Sequence, residues 1–293
     1  MRILVIGGTR LVGRHIAQAA IDRGHDVTLF NRGRSDPTAF PDATHLVGDR
    51  NKDLSALASG SWDATVDVSA YTPGQVRSML AALENRAGHF TFISTISVYA
   101  ADVPTRGFTE AAPLLDPEWD DVPSMDKYGE LKVACEKVAM SDSRRGVLIV
   151  RPGYVIGPYD ETERFTHWVR AVAAGRPFVG PDRDQPLQAV DGRDLASFTI
   201  DAIERGRSDT YNVTAPQQPP TFAQVLDTIA AALDVALPDV KWTRDSDQLP
   251  LSAPREWWPK MHADVSKAVG VGFTWRPLAQ SVRDIKDYAG IKT

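Results

Sequence analysis

The stretch RILVIGGTRLVGRHIAQAAIDRG, residues 2–24, decides the fold that this chain is expected to adopt. A short aliphatic run is followed by a glycine-rich turn and then by a segment in which Val12, Ile16 and Ala20 recur at helical spacing. Gly24 closes that segment, as is typical of a helix C-terminus. The stretch therefore predicts a strand, a tight turn and a helix in direct succession.

The turn within this stretch predicts a phosphate-binding site. Glycine lets the backbone turn tightly and approach a pyrophosphate, while the free amides and positive dipole of the following helix N-terminus stabilise its charge. A plain strand-to-helix turn is the alternative interpretation, but the place of the turn after the first strand favours a dinucleotide. The predicted cofactor-binding residues of the turn are Gly7, Gly8, Thr9, Arg10, Leu11, Val12 and Gly13.

The end of the second strand indicates which dinucleotide is bound. An acidic residue there would bind the ribose 2′-hydroxyl of NAD, but the chain has Asn31 and Arg32. Arg32, Arg10 and the nearby Arg34 can instead surround a 2′-phosphate, because guanidinium groups match phosphate geometry. We therefore expect NADP, with NAD possible as well. If the three arginines are only solvated surface residues, this preference disappears.

The rest of the chain continues the alternation of strands and helices, which predicts an α/β fold with a doubly wound parallel Rossmann sheet. The predicted strands are residues 2–6, 27–30, 44–47, 64–68, 89–93, 147–150 and 209–213, and the predicted helices between them are 11–23, 73–86, 126–141 and 191–206. Two stretches break this rhythm with frequent turn residues, helical patterns at 164–175 and 221–234, and a short strand near 240–243. We predict a dinucleotide-binding domain of residues 1–158 and 187–214, and a smaller substrate-binding lobe of residues 159–186 and 215–293.

The composition is that of an ordinary globular protein and excludes several classes of function. The chain has 293 residues, 43% of them hydrophobic and 24% charged, so it can bury a large core. Its net charge of −5 offers no general attraction to nucleic acid or to an anionic membrane. The single cysteine, Cys135, and the short first apolar run predict neither a disulfide nor a secretion signal, so we expect a cytoplasmic protein without a membrane span. The histidines are scattered, so no metal site is predicted.

Tyr128 and Lys132 lie four residues apart on a predicted helix, so their side chains share one face. A nearby cation stabilises tyrosinate, and we expect it to lower the pKa of the phenol from its usual value of about 10. Such a tyrosine can exchange a proton with a substrate oxygen near neutral pH. The preceding strand ends at Ser94 and Thr95, at the sheet edge where open α/β folds bind their ligands.

Together these motifs resemble the extended form of the short-chain dehydrogenase/reductase superfamily, the group known as the NAD-dependent epimerase/dehydratase family. The resemblance covers nearly the whole chain. It rests on GGTRLVG (7–13), Asp49, FISTISVYA (92–100), YGELK (128–132), RPGYVIGP (151–158), VDGRDLA (190–196), YNV (211–213) and ADVSKA (263–268).

The resemblance implies a role for each matching residue. Tyr128 would be the general acid/base, and Lys132 its electrostatic partner and a ligand of the nicotinamide ribose. Thr95 would hydrogen-bond the reacting oxygen, with Ser94 beside it. Around the cofactor, the resemblance implies Asp49 near the adenine, Ser69 and Ala70 along the adenosine half, and Pro152 and Gly153 against the nicotinamide. Arg50, next to Asp49, is a further predicted cofactor-binding residue.

Three departures from the family pattern bear on the activity. Arg10 replaces the central glycine of the loop, a form that resembles a subgroup including the plastid stem-loop RNA-binding proteins. The acidic pair that dehydratases carry after the catalytic threonine is here Ile96 and Ser97, so dehydration is not expected. Where the UDP-sugar epimerases offer an arginine to the diphosphate, the chain has Leu187 and Gln188. The remaining candidates for that arginine are Arg183, Arg193 and Arg255.

These observations predict a reductase that uses NADP, or NAD, to transfer a hydride to or from a small polar or sugar-like substrate. A sugar or nucleotide-sugar epimerase that retains its cofactor is the alternative within the enzyme class. A cofactor-sensing RNA-binding or regulatory protein is the alternative outside it. We expect a monomer or homodimer. Trp168, Trp257, Trp258, Arg164 and Phe165 are candidates for the substrate cleft, although aromatic residues at such positions are as often simply core.

Overall fold

The computed structural model describes residues 1–36, 38–104, 107–142, 145–244 and 248–293. Its strands are β1 (Arg2–Ile6), β2 (Asp26–Asn31), β3 (Thr44–Val47), β4 (Ala64–Asp67), β5 (His89–Ile93), β6 (Val147–Pro152), β7 (Tyr154–Ile156), β8 (Phe178–Gly180), β9 (Ala189–Asp191), β10 (Thr210–Val213) and β11 (Val240–Trp242). Its α-helices are α1 (Leu11–Asp22), α2 (Pro73–Leu83), α3 (Tyr128–Ser141), α4 (Arg164–Ala173), α5 (Gly192–Glu204), α6 (Phe222–Leu233), α7 (Ser266–Val269) and α8 (Leu278–Tyr288).

Seven of the strands in the described residues form one sheet in the order β10-β6-β5-β4-β1-β2-β3, and every neighbouring pair is parallel. This confirms the predicted doubly wound parallel α/β fold. The chain runs outward from β1 through β2 to β3 and then returns to β4 on the other side of β1. Such a reversal of strand order opens a crevice at the carboxyl ends of β1 and β4, where folds of this type bind their ligands.

The sheet is buried on both faces, which explains why its strands are almost continuously apolar. Because side chains alternate along a strand, Ile3 and Val5 of β1 pack with Ile16 of α1, whereas Leu4 and Ile6 pack with side chains of α2. Burying each such aliphatic side chain stabilises the fold by roughly 1.5–3 kcal/mol. The glycine turn after β1 is therefore anchored by a strand that is packed on both faces.

A second apolar cluster lies outside this sheet. It is built by α4, α6 and α8 around Phe165, Trp168, Phe222, Leu226 and Val282. Two small parallel pairs of strands, β7 with β9 and β8 with β11, accompany it. The helices expected at 164–175 and 221–234 and the strand expected near 240–243 are confirmed. The division into two domains with the ranges given above stays a prediction.

Neither cluster contains a membrane segment. No helix among the described residues is both long enough and apolar enough to cross a bilayer.

Candidate active site

The turn between β1 and α1 has a shape that only glycine permits. Gly7 has a φ of +96°, and a Cβ there would lie 2.9 Å from the Cβ of Ser69. A Cβ on Gly8 would lie 2.6 Å from Leu29 Cδ2, and a Cβ on Gly13 would lie 2.6 Å from the carbonyl oxygen of Gly7. The backbone is thus drawn in tightly beneath the first turn of α1. This cradle fits the pyrophosphate of a dinucleotide, because the helix amides stay within reach of an anion.

The three arginines expected at the cofactor differ in what they contact. Arg10 lies 3.1 Å from a carboxylate oxygen of Glu161, and both side chains are more than half exposed. Arg32 and Arg34 are exposed, and neither forms an ion pair within the described part of the chain. Asn31 accepts a hydrogen bond of 2.7 Å from the Gly33 amide and so shapes the turn that carries both arginines. Arg32 and Arg34 are the cations available to an incoming anion.

The residues expected near the adenosine half lie in the loops after β3 and β4. The Asp49 carboxylate accepts a hydrogen bond of 3.0 Å from the Asn51 amide. Arg50 is turned inward and forms two hydrogen bonds of 2.8 Å to the two carboxylate oxygens of buried Asp67. It donates another of 2.8 Å to the Ser69 hydroxyl. Sequence reasoning missed Asp67, although an acid in an otherwise apolar buried strand was a signal of a partner.

Tyr128 begins α3, and the centre of its ring lies 6.0 Å from that of Tyr71. Burial raises the pKa of Tyr128 to about 12. Electrostatic repulsion from the neighbouring Tyr71 phenol also raises this pKa, whereas the hydrogen bond with Thr95 and the charge of Arg164 lower it. The lowered pKa expected from the Tyr-Lys spacing is therefore wrong, because desolvation of the phenol outweighs any nearby cation. The phenol stays protonated at neutral pH.

Lys132 is buried, with its ammonium at the carboxyl edge of the sheet. The ammonium donates hydrogen bonds of 3.0 Å to the Ala70 carbonyl and 2.7 Å to the Ile93 carbonyl, and it lies 4.0 Å from the centre of the Phe92 ring. Burial lowers the pKa of Lys132 to about 8, although the carboxylate of Asp67 acts in the opposite direction. Lys132 is thus a cation at pH 7, fixed one helical turn beyond Tyr128.

Ser94 and Thr95 at the end of β5 have different surroundings. The Ser94 hydroxyl is buried and donates a hydrogen bond of 2.5 Å to Glu136. The Thr95 hydroxyl donates to the Ser97 hydroxyl at 3.1 Å and accepts from the Ser97 amide at 3.1 Å. Thr95 also acts on the pKa of Tyr128. Of the two, Thr95 is the residue that adjoins the phenol.

Behind these residues lies a buried polar network that sequence reasoning missed. Arg151 donates hydrogen bonds of 2.9 and 2.6 Å to the two carboxylate oxygens of Glu136 and another of 2.9 Å to the Tyr99 hydroxyl. Tyr99 in turn donates at 2.6 Å to Asn212 of β10. The network ties α3 to β5, β6 and β10 and so fixes the face of α3 that carries Tyr128 and Lys132. An arginine inside the apolar strand β6 was the signal for it.

The end of β6 approaches its neighbours closely. A Cβ on Gly153, which follows Pro152, would lie 2.4 Å from the Thr214 hydroxyl oxygen and 3.0 Å from the Gln188 carbonyl oxygen. Gln188 itself is fully buried, and its amide bonds to the backbone of Ala263 and Pro216. It is a packing residue rather than a ligand-facing one.

The remaining candidates for substrate contact separate into core and surface residues. Trp168 is completely buried and donates at 2.9 Å to the Pro250 carbonyl, whereas Trp257 is 54% exposed. Arg193 is held by Asp191 and Asp284, and Arg255 by Asp182. Arg164, which starts α4, lies over the Tyr154 ring with its guanidinium carbon 5.6 Å from the ring centre. The described residues contain no group of three side chains arranged to hold a metal ion.

Comparison with known proteins agrees with this geometry. The chain is 28% identical over 236 residues to the chloroplast stem-loop binding protein of 41 kDa b of Arabidopsis thaliana, a match that covers 73% of this chain and 58% of that relative. It is 25% identical over 236 residues to the probable low-salt glycan biosynthesis reductase Agl14 of Haloferax volcanii, covering 73% of this chain and 75% of that relative. The chain thus spans little more than half the length of the first relative.

Solved structures share the fold over nearly the full length. A UDP-glucuronic acid 4-epimerase from Bacillus cereus, in complex with NAD, superposes with a TM-score of 0.75 at 16% identity, covering 99% of both chains. The UDP-glucose 4-epimerase of Thermotoga maritima gives a TM-score of 0.75 at 17% identity, again covering 99% of both. The model of the NAD dependent epimerase/dehydratase family matches residues 3–214. The glycine cradle, the carboxyl-edge residues and this match together place the chain in the NAD dependent epimerase/dehydratase family.

Proposed function

We propose that this protein is an NADP-dependent reductase that reduces a carbonyl group of a small polar or sugar-like substrate to a secondary alcohol, or catalyses the reverse. The observation that carries this proposal is the position of the Tyr128 phenol, at the start of α3, beside Thr95 and one helical turn from Lys132. A phenol that keeps its proton at neutral pH is suited to donate it to an oxygen that gains negative charge.

Each of the three residues has a separate task in this reaction. A nicotinamide held against Pro152 and Gly153 would supply the hydride for the carbonyl carbon. Thr95 hydrogen-bonds the carbonyl oxygen and orients it toward Tyr128, which transfers its proton to that oxygen as the carbon–oxygen double bond is lost. The Lys132 ammonium then stabilises the tyrosinate, whose charge burial otherwise disfavours.

Two features favour a reductase over an epimerase of nucleotide sugars. Where such epimerases place an arginine for the diphosphate, Leu187 and Gln188 are buried in this chain. Of the three possible substitutes, Arg193 and Arg255 are already paired with carboxylates, whereas Arg183 is exposed. Arg32, in contrast, is exposed beside the glycine turn and suits the 2′-phosphate of NADP.

The test of the reaction is turnover by the purified protein. With a panel of carbonyl and sugar-nucleotide substrates, the wild-type protein is expected to oxidise added NADPH. Tyr128→Phe should lower kcat by about 100-fold or more, because it removes the proton donor. The control Tyr288→Phe, which alters an exposed tyrosine of α8, should leave kcat unchanged.

The alternatives give different results in the same experiment. Mass spectrometry that finds tightly retained NAD, together with no net turnover of NADPH, would identify the epimerase alternative. Activity that does not change in Tyr128→Phe would remove the catalytic assignment and favour the cofactor-sensing RNA-binding or regulatory alternative.

Cofactor choice is tested by a single arginine. Arg32→Ala is expected to raise the Kd of NADPH by about tenfold, since a charge-assisted contact to phosphate contributes about 1.5–3 kcal/mol. The Kd of NADH should change by less than about twofold. Arg205→Ala, an exposed arginine just after α5, is the control. Equal losses for the two cofactors would contradict a 2′-phosphate contact.

A further inference from the structure

The loop of residues 158–163 connects the end of β7 to α4 and lies against the beginning of α1. His15 Nε2 donates a hydrogen bond of 3.0 Å to the Pro158 carbonyl oxygen. The guanidinium carbon of Arg14 lies 4.1 Å from the centre of the Tyr159 ring. The loop therefore joins the helix that follows the glycine turn to a helix of the second apolar cluster.

A third contact of this loop reaches the glycine turn itself. Arg10 Nε lies 3.1 Å from a carboxylate oxygen of Glu161. Arg10 directly precedes α1, so its side chain starts where the free amides and the positive dipole of the helix would hold a pyrophosphate. Its Nε also donates a hydrogen bond of 3.2 Å to Ser35 Oγ, next to Arg34. A carboxylate of the loop thus neutralises the arginine of the glycine turn.

The ion pair between Arg10 and Glu161 is open to exchange. Both side chains are more than half exposed, and exposed ion pairs contribute little to stability because water screens both charges. Guanidinium groups match the geometry of phosphate as well as that of carboxylate. A phosphate group at the glycine turn would also receive hydrogen bonds from the helix amides. It therefore has an advantage over Glu161 in binding Arg10.

The backbone of the loop has a conformation that residues with a side chain disfavour. Tyr159 has a φ of +68° and Glu163 a φ of +50°, both in the left-handed region. Such residues persist where surrounding contacts hold them, and they concentrate at switch regions. Within the loop, the Thr162 amide donates to the Asp160 carboxylate at 3.0 Å, and the Glu163 amide donates to the Asp160 carbonyl at 3.1 Å. Loss of an outside contact removes part of what holds this arrangement.

We propose that Glu161 occupies Arg10 in the free protein and that a phosphate group of the cofactor displaces it, which releases the loop of residues 158–163. This rests on the proposed function, since it assumes a nicotinamide adenine dinucleotide. Glu161 then acts as an internal competitor that lowers the affinity for the cofactor. Because the loop leads directly into α4, its release connects occupancy of the cofactor site to the second apolar cluster.

Titration with NADPH and NADH, by calorimetry or fluorescence, tests the competition. Glu161→Gln removes the charge at nearly constant size and is expected to lower the Kd by about three- to fivefold, the scale of an exposed ion pair. Arg10→Ala should raise the Kd, and adding Glu161→Gln to it should change nothing further. The matched control is Glu163→Gln in the same loop, since Glu163 pairs with Arg170 at 3.1 Å. This control should change the Kd by less than about twofold.

The two dinucleotides identify the phosphate that displaces Glu161. Equal gains in affinity from Glu161→Gln assign it to the pyrophosphate, and a gain confined to NADPH assigns it to the 2′-phosphate. An unchanged or raised Kd in Glu161→Gln would overturn the inference. So would the same gain in Glu163→Gln, or in the presence of Arg10→Ala. A wild-type protein that binds neither dinucleotide would instead overturn the proposed function, and the inference with it.

Hydrogen–deuterium exchange measures the release of the loop. Saturating NADPH is expected to speed exchange of the Thr162 and Glu163 amides about threefold or more in the wild type, while amides of the glycine turn slow down. In Glu161→Gln the same two amides should exchange faster before any cofactor is added, and NADPH should then have little effect on them. Unchanged or slower exchange of the loop in wild-type protein with NADPH would show that Glu161 stays in place, and the inference would be wrong.

Discussion

Lys132 links the candidate site to the stability of the fold. Burial lowers the pKa of its ammonium from 10.5 to about 8. Between these two pH values the unfolded chain binds more protons than the folded one, so the contribution of Lys132 to stability increases as pH rises through this window. Below pH 8 the folded state carries the full cost of burying the charge. The difference corresponds to roughly 3 kcal/mol at 1.36 kcal/mol per pKa unit.

We therefore expect Lys132→Met to change the pH dependence of unfolding. The free energy of unfolding is measured in urea without cofactor from pH 7 to pH 10.5. As pH rises, the wild type should gain stability relative to the variant. The difference between the two proteins matters rather than either curve, because burial also raises the pKa of the Cys135 thiol to about 12, so ionisation of this thiol in the unfolded chain makes stability depend on pH above about 9. A difference that stays constant from pH 7 to pH 10.5 would show that Lys132 titrates normally.

At the scale of single residues, spacing predicted the neighbours but not their energetics. The four-residue interval places Tyr128 and Lys132 on one face of α3 because helix geometry is local. The direction of the Tyr128 pKa depends on how completely the surrounding loops cover the phenol, and no local pattern contains that information. For the same reason the sequence placed Ser94 and Thr95 together at the strand end but did not separate their roles.

At the scale of elements, α3 depends on a buried ion pair for its position. Glu136 and Arg151 are almost completely buried and form two hydrogen bonds to each other. Removing one partner leaves an unpaired buried charge, which typically costs about 3–5 kcal/mol, whereas removing both costs much less. We expect Glu136→Leu and Arg151→Met each to be strongly destabilising and the double variant to recover most of the loss, as measured by urea unfolding.

The double-mutant cycle also reports on catalysis. Because the pair fixes α3 against β6, the double variant should keep its fold but lower kcat, and KM should change less. Additive effects of the two substitutions on stability would contradict a direct interaction between them. The matched control is the surface pair Lys127 and Glu118, in which the ammonium nitrogen lies 2.5 Å from a carboxylate oxygen. This pair should contribute less than about 1 kcal/mol to the free energy of unfolding.

The elements themselves were largely predictable. Aliphatic runs and helical periodicity are local signals, so all seven strands of the sheet and the main helices were placed to within a few residues. Pairings between distant segments were not predicted. Tyr154–Ile156 joins Ala189–Asp191, and Phe178–Gly180 joins Val240–Trp242. Of these four three-residue strands only Val240–Trp242 was expected, because the other three are too short to show a pattern.

At the scale of the whole molecule, the proposed binding of NADPH works against an unfavourable net charge. The chain carries −5 overall, and the 2′-phosphate adds nearly −2 to NADPH relative to NADH at neutral pH. For the proposed cofactor we therefore expect local attraction, from Arg32 and Arg34, which are exposed and free of ion pairs in the described regions. Contacts between exposed charges are screened by salt, with a Debye length of about 10 Å at 0.1 M.

The affinity for NADPH should consequently depend more steeply on salt than the affinity for NADH. Between about 20 mM and 300 mM sodium chloride, we expect the Kd of NADPH to rise about threefold more than that of NADH. Arg32→Ala should bring the two slopes together, because it removes the cation that faces the additional phosphate. The double variant Arg50→Met/Asp67→Leu, which removes a neutral pair, should leave both slopes as they are. Identical slopes for the two cofactors in the wild-type protein would show that the 2′-phosphate lies away from the exposed arginines.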